Sequence, residues 1–127
     1  MLFIKTVVKP SRIHSLGSFA NQNIKKGQKV WEYNSLIDRK FTKKQLAELP
    51  ALMQSFVKFY SYLNDRNEFV FCGDNARYIN HSDNPNILDI KSKHGEDAAI
   101  ASQNIKKGEE ITSKYLIFDK RGRAKHL

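Results

Sequence analysis

The sequence predicts a mainly β domain of several small sheets, α+β by strict count. Three observations predict it. Short runs rich in β-branched and aromatic residues recur along the chain, each closed by Gly, Pro, Asn or Asp. One stretch, residues 42–63, has helical rather than alternating spacing of its apolar residues. Finally, ANQNIKKGQKV at 20–30 returns as ASQNIKKGEEI at 101–111, so two turns of one design feed two strands, starting at Val30 and Ile111. Two copies with nothing periodic between them exclude a solenoid.

The elements follow in order. Residues 2–8, LFIKTVV, read as a strand stopping at Pro10; Ser11, His14, Ser15 and Gly17 form a turn into Phe19 and Ala20. KVWEYNSLI, 29–37, reads as a second strand. Thr42 with Gln45 three residues on is a capping box, Phe41 can staple against Leu46, and Pro50 separates a first short helix from a second. On that second helix Leu52, Met53, Phe56, Phe59 and Tyr60 keep helical spacing and are expected in the core. NDRN at 64–67 is a turn, EFVFCG at 68–73 a strand, 87–90 and 98–102 a strand pair joined by a polar turn, and 120–127, KRGRAKHL, a frayed basic tail.

Composition bounds the rest. A chain of 127 residues with 40% hydrophobic content fits one compact domain, expected at 1–119. A net charge of +9 attracts anions: nucleic acid, acidic protein faces or a negatively charged cofactor. The basic residues stand in pairs, Lys25-Lys26, Lys43-Lys44 and Lys106-Lys107, and in the tail at Lys120, Arg121, Arg123 and Lys125; each pair alone reads as solvated surface. Cys72 is the only cysteine, which excludes an internal disulfide and a zinc site of several thiolates; it reads as a buried small residue in a reducing compartment. MLFIKTVVKP does not read as a secretory signal, and no run approaches the roughly 20 apolar residues of a membrane span, so an intracellular location is expected.

The segment that fits none of these patterns is 76–86, ARYINHSDNPN. Its polar, turn-favouring side chains suit neither a regular helix nor a regular strand, so it is either a surface loop or a loop held in a special shape.

Four stretches in order, HSLGSFA at 14–20, EYNS at 32–35, ARYINHSDNPN at 76–86 and GEEITSKY at 108–115, resemble the signatures of the SET domain of S-adenosylmethionine-dependent protein lysine methyltransferases. The resemblance covers residues 5–119. It implies a β-clip-like fold of small curled sheets with a C-terminal pseudoknot, in which the chain after Ile111 threads past Asn80 and His81. It also implies a short helical insert at 42–63 that shapes the peptide groove. The cofactor, S-adenosylmethionine, would be held by Leu16, Gly17 and Phe19, by the Asn80 side chain at its amino-acid end and by the His81 main chain at its adenine. Arg77 would brace this loop or meet the cofactor carboxylate, and Phe118 would wall the adenine or the lysine channel. Tyr115 matches the catalytic tyrosine, and Tyr33 the tyrosine lining the channel, with simple core roles the alternative for Tyr33 and Phe118. Asn84, Pro85 and Asn86 would shape the loop. No metal site is implied.

The sequence departs from the family at Ser15 and Ser35, where glycine is usual, and at Asp83, where cysteine is common. No cysteine cluster follows Tyr115, so no zinc-binding segment is expected there. The expected partner is a protein carrying the target lysine, histone or other; non-specific contact with nucleic acid and pairing with a second copy stay open. The alternatives are a SET-fold binding module with weak catalysis, suggested by Ser15 and Ser35, and a basic nucleic-acid-binding protein, suggested by charge alone.

Overall fold

The computed structural model describes residues 1–114. Tyr115, Phe118 and the tail lie outside the described residues.

β1 (Thr6–Pro10) and β2 (Leu16–Ala20) form an antiparallel ribbon, with Thr6 opposite Ala20 and Pro10 opposite Leu16. The first strand is thus later than expected, because Phe3 N–H donates to Val30 O (2.9 Å) and Leu2 bridges to Trp31, drawing the leading apolar residues onto another sheet. The turn is also shorter. Ser11 Oγ accepts from the N–H groups of Ile13 (2.9 Å) and His14 (3.3 Å), closing it by Ser15 and leaving Gly17 inside a strand.

β3 (Lys29–Glu32), β8 (Ile87–Lys91) and β9 (Asp97–Ala101) make an antiparallel sheet in the order β3-β9-β8. The second strand ends at Glu32 and not at Ile37. Asn34 Oδ1 accepts from Leu36 N–H (2.9 Å), and buried Asp38 accepts from Asn34 N–H (3.0 Å), winding 34–38 into a turn.

The insert is a small unit with its own core. β4 (Arg39–Phe41), β5 (Ser61–Leu63) and β6 (Phe69–Phe71) form a sheet in the order β4-β6-β5, covered by α1 (Lys43–Ala47) and α2 (Ala51–Tyr60). The capping box is present: Thr42 Oγ1 accepts from Gln45 N–H (3.1 Å) and Gln45 Oε1 from Thr42 N–H (2.9 Å). Leu46, Val57, Leu63 and Phe69 are buried together, with Phe41 packed against them. Two expectations fail here. The helical stretch stops at Tyr60, because 61–63 pairs with β6. The α2 stripe is not core either: only Val57 is buried, whereas Leu52 is 80% exposed and Met53, Phe56 and Phe59 about 40%. The insert sheet is three short strands wide, so one narrow face of α2 suffices to cover it. The exposed rings pack instead on one another and on the sheet edge, Phe56 with Tyr60 (centroids 5.1 Å) and with Phe71 (5.8 Å), and Phe59 with Tyr60 (4.8 Å).

The larger core lies between the insert sheet and the body, around Val30, Val70, Cys72, Ile79, Ile105 and Ile111. The 76–86 segment gains local order that its composition did not suggest: a 3-10 turn at Asn75–Tyr78, then β7 (Asn80–His81). β10 (Thr112–Ser113) runs parallel to β7, pairing Thr112 with Asn80 and Ser113 with His81. That pairing is the crossing of the C-terminal segment past the polar loop. No described helix is long and apolar enough to cross a membrane.

Insert and body meet at Tyr62, whose hydroxyl donates to Asp97 (3.0 Å) and whose ring lies edge-on to Trp31, and at the Lys40–Glu96 ion pair (3.1 Å). Burial acts to raise the Asp97 carboxyl, but bonds from Lys91 and Tyr62 outweigh it and hold it below the usual range. Asp89, on the adjacent strand, is pushed up to about 8 by burial and then by the Asp97 charge, with Lys91 opposing. The folded protein therefore holds a proton there that the unfolded chain has lost above about pH 4, and stability from this group falls as pH rises to about 8, then levels off. Asp89→Asn removes that slope. Thermal unfolding followed by circular dichroism should give midpoints that converge near pH 4 and diverge by several degrees near pH 8, with the variant the more stable.

Candidate functional site

Four pieces of chain meet at the side chain of Asn80. Asn80 is buried in β7, and the two N–H groups of its Nδ2 face three acceptors, Glu110 Oε2 (2.9 Å), Leu16 O (3.0 Å) and, sharing one N–H, His14 O (3.3 Å). With only acceptors around the nitrogen, the amide orientation is fixed. Glu110 also accepts from Ser11 Oγ (2.8 and 2.9 Å to its two oxygens), so the tip of the first turn, β2, β7 and the start of the C-terminal crossing share one polar knot. Phe19 bridges Glu110 from β2, and Ile111 N–H donates to Ser18 O (2.8 Å).

Gly17 is where the knot requires absence of a side chain. A Cβ there would stand 2.4 Å from Glu110 Oε2 and 3.1 Å from Asn80 Nδ2, too close for either. Ser15 resolves its own departure from glycine by adopting φ 42°, the left-handed conformation, so the turn keeps a glycine-like shape at some cost in strain.

The end of the loop is clamped a second time. Asn86 is buried; its Nδ2 donates to Glu110 O (2.8 Å) and its Oδ1 accepts from Thr112 N–H (2.9 Å), bonding the crossing chain as a neighbouring strand would. Ser82 N–H adds a bond to Ser113 O (2.9 Å). Asp83, exposed, lies 3.1 Å from His81 Nε2.

The other sequence candidates are placed as follows. The Leu16 carbonyl belongs to the knot while its side chain is exposed, and the half-buried Phe19 ring carries the Lys9 ammonium at 4.7 Å. Arg77 Nε donates to Cys72 O (3.1 Å), and its guanidinium lies over Phe71 (4.6 Å) and Tyr60 (5.8 Å), tying the 3-10 turn to the insert. Tyr33 is half-buried against the main core, with Lys40 Nζ over its ring at 4.1 Å; burial raises its phenol. Tyr115 and Phe118 lie outside the described residues.

Glu110 is the participant to which sequence reading gave no role. A signal existed: the two copies of the repeat agree over Gln22–Gly27 and Gln103–Gly108, then place Lys29 against Glu110, a reversal of charge where the second copy enters the site. Tyr78, whose ring meets Tyr60 at 5.8 Å, is the other, inside a quoted motif but unassigned.

One atom in the knot is unsatisfied. Asn80 Oδ1 is buried and has no hydrogen-bond partner among the described residues. A buried lone acceptor costs about 1–3 kcal/mol and calls for a donor, a ligand group or an ordered water. The amide nitrogen of the same group is the atom that lies against Gly17 and Leu16; a buried acceptor at Oδ1 fits a group with an ammonium to donate, as the amino-acid end of S-adenosylmethionine has. Among the described residues no cluster of His, Cys, Asp or Glu could hold a metal ion.

Comparison with known proteins agrees. The SET domain family model matches residues 15–116. A Debaryomyces hansenii histone-lysine N-methyltransferase, H3 lysine-36 specific, is 28% identical over 120 residues, 89% of this chain and 16% of the relative. A Schizosaccharomyces pombe histone-lysine N-methyltransferase, H3 lysine-4 specific, is 34% identical over 113 residues, 84% of this chain and 12% of the relative. The chain thus spans less than a fifth of the length of these relatives. Among solved structures, a Plasmodium falciparum protein assigned as a histone methyltransferase has TM-score 0.62 at 23% identity, covering 88% of this chain and 93% of that one. A chain of Chaetomium thermophilum Polycomb Repressive Complex 2 has TM-score 0.68 at 23% identity, covering 91% and 16%.

Two substitutions test the knot. Ser15→Gly should stabilise the protein by about 1 kcal/mol, read as a rise in the urea midpoint at unchanged slope, because it relieves left-handed strain. Gly17→Ala should destabilise it by about 2 kcal/mol or more in the same titration, since Glu110 and Asn80 must separate.

Proposed function

Because the chain belongs to the SET-domain family, we propose that it is an S-adenosylmethionine-dependent protein-lysine N-methyltransferase, acting on the side-chain amine of a lysine in a protein substrate. The observation that carries this reading is the buried Asn80 Oδ1, which has no hydrogen-bond partner among the described residues. S-adenosylmethionine supplies, when bound, a methyl group on a sulfonium that an amine lone pair can displace, leaving S-adenosylhomocysteine.

The chain's own residues divide the remaining work. Asn80 Oδ1 accepts from the cofactor's ammonium, while its amide nitrogen stays engaged with Glu110 and Leu16, so binding does not disturb the knot. The main chain at Leu16, Gly17 and His81 lines the rest of the cofactor pocket, with the Phe19 ring beside it, and Arg77 positions the loop by its stack on the insert.

The reacting lysine must lose a proton. With an ordinary pKa near 10.4, neutralising it at pH 7 costs about 4 to 5 kcal/mol, and a dry apolar channel can lower a buried lysine by about 3 to 5 units. Aromatic residues supply such walls. Tyr33, half-buried and with its phenol raised by burial, is one such wall, its ring face turned to the Lys40 ammonium. Tyr115, by its motif position, orients the amine and stabilises developing charge by its hydroxyl. The exposed rings of α2, joined through Tyr60 to Tyr78, form an apolar ledge beside the loop, suited to the non-reacting part of a peptide. Ser15 favours catalysis over the weak binding module, since the turn keeps the conformation a glycine would give.

The relatives' names specify histone H3, so histones are the first substrates to try. Intact mass spectrometry after incubation with S-adenosylmethionine should show whole methyl increments on one panel protein, and Tyr115→Phe should lower the rate about 100-fold, the scale of losing one transition-state donor. No increment on any protein, or an unchanged rate in the variant, would contradict the assignment.

A further inference from the structure

The Lys-Lys-Gly turns of the repeat, residues 23–28 and 104–109, lie outside the site, and they pair with each other. Ile24 and Ile105 exchange both main-chain bonds, N–H to O in each direction at 2.8 Å. Lys26 N–H donates to Asn104 Oδ1 (2.9 Å), and Lys107 N–H to Asn23 Oδ1 (3.0 Å). Gly27 N–H reaches Ala101 O and Gly108 N–H reaches Ala20 O, both 2.7 Å, with the glycines at φ 87° and 96°. Gln28 caps Lys25 N–H and Glu109 caps Lys106 N–H, each at 3.1 Å. Each of these bonds in one copy has its counterpart in the other, so the two turns are related by a local two-fold axis through the Ile24–Ile105 pair.

The symmetry places four exposed lysines, Lys25, Lys26, Lys106 and Lys107, around that axis on one face, beside an open trough lined by residues 23–26 and 104–107. The main chain and the asparagine and glutamine side chains complete the turns, so the fold makes no use of the ammonium groups. None of the four forms an ion pair among the described residues, whereas Lys29, Lys40 and Lys91 all do. The one carboxylate in the turns that face this trough, Glu109, is turned to a backbone N–H. Four like charges held together without a partner repel one another, a cost the fold does not repay.

We propose that this face binds duplex nucleic acid through its phosphates. Duplex strands are themselves related by local two-fold axes, so paired lysines on either side of the protein axis meet equivalent phosphates on the two strands. Lysine, a point charge, is suited to the backbone and not to base edges, so binding is independent of sequence. Acidic proteins share the charge but not the symmetry.

The test is anisotropy of a labelled duplex with the full chain across a salt series. Four phosphate contacts contribute about −3.5 to the slope of log affinity against log salt, or about 100-fold between 50 and 200 mM. Replacing all four lysines by Gln should remove that contribution, and Lys25→Gln with Lys26→Gln should remove about half, equal to the effect of the Lys106 and Lys107 pair. The same charge removed at Lys43 and Lys44 should leave the slope unchanged. The proposal is overturned if the four-lysine variant keeps the wild-type slope, if the Lys43 and Lys44 variant loses as much as the Lys25 and Lys26 variant, or if polyglutamate binds more tightly than the duplex at equal salt.

Discussion

The bond between the Asn80 amide and the Glu110 carboxylate is the contact on which the rest of this structure depends. It joins residues 30 apart in sequence, and through Ser11 and Leu16 it fixes the first turn against the crossing of the C-terminal segment. A charge-assisted bond of this kind is worth about 1.5–3 kcal/mol, and losing either partner leaves Asn80 with only the His14 and Leu16 carbonyls, or Glu110 with only Ser11. Gly17 makes room for it and Asn86 repeats its logic on the main chain, clamping Glu110 O and Thr112 N–H. A two-residue parallel pairing such as β7 with β10 could not hold a crossing alone; these side chains supply what the short ladder lacks.

The rest of the chain is arranged so that this knot can be small. One core, around Val30, Val70 and Ile111, lies between the body and the insert sheet, and the insert holds another around Leu46, Val57 and Phe69. Polar and ring contacts add to the first: Tyr62 with Asp97 and Trp31, Lys40 with Glu96, Arg77 with Phe71 and Tyr60. Because the insert buries its own apolar face, the outer rings of α2 are left for other uses.

Much of the fold was legible where local chemistry decides. The Thr42 capping box, the β8–β9 hairpin and the Lys-Lys-Gly turns follow from spacing and turn residues alone. The failures share a cause, which is tertiary pairing of short segments. Leu16–Ala20, Arg39–Phe41 and Ser61–Leu63 have little strand signal of their own and become strands because partners stand beside them. The α2 stripe has core spacing, yet spacing cannot say how wide the surface beneath it is. In the site, Asn80 and Gly17 were found by motif, and the structure explains both by one close approach. Glu110 escaped because a carboxylate after Lys-Lys-Gly looks like surface until the knot is seen, although the charge reversal against Lys29 marked the place.

The central claim is that Asn80 Oδ1 is a ligand contact and not merely a strained acceptor. Calorimetric titration of S-adenosylhomocysteine into the wild type and into Asn80→Asp, each first shown folded by circular dichroism, tests it directly, because the variant can keep one acceptor but loses the amide that fixes its orientation. The account predicts one-to-one binding by the wild type and at least a tenfold loss in the variant, a difference of about 1.4 kcal/mol or more. Equal affinity in the two folded proteins, or no binding by either, would contradict it.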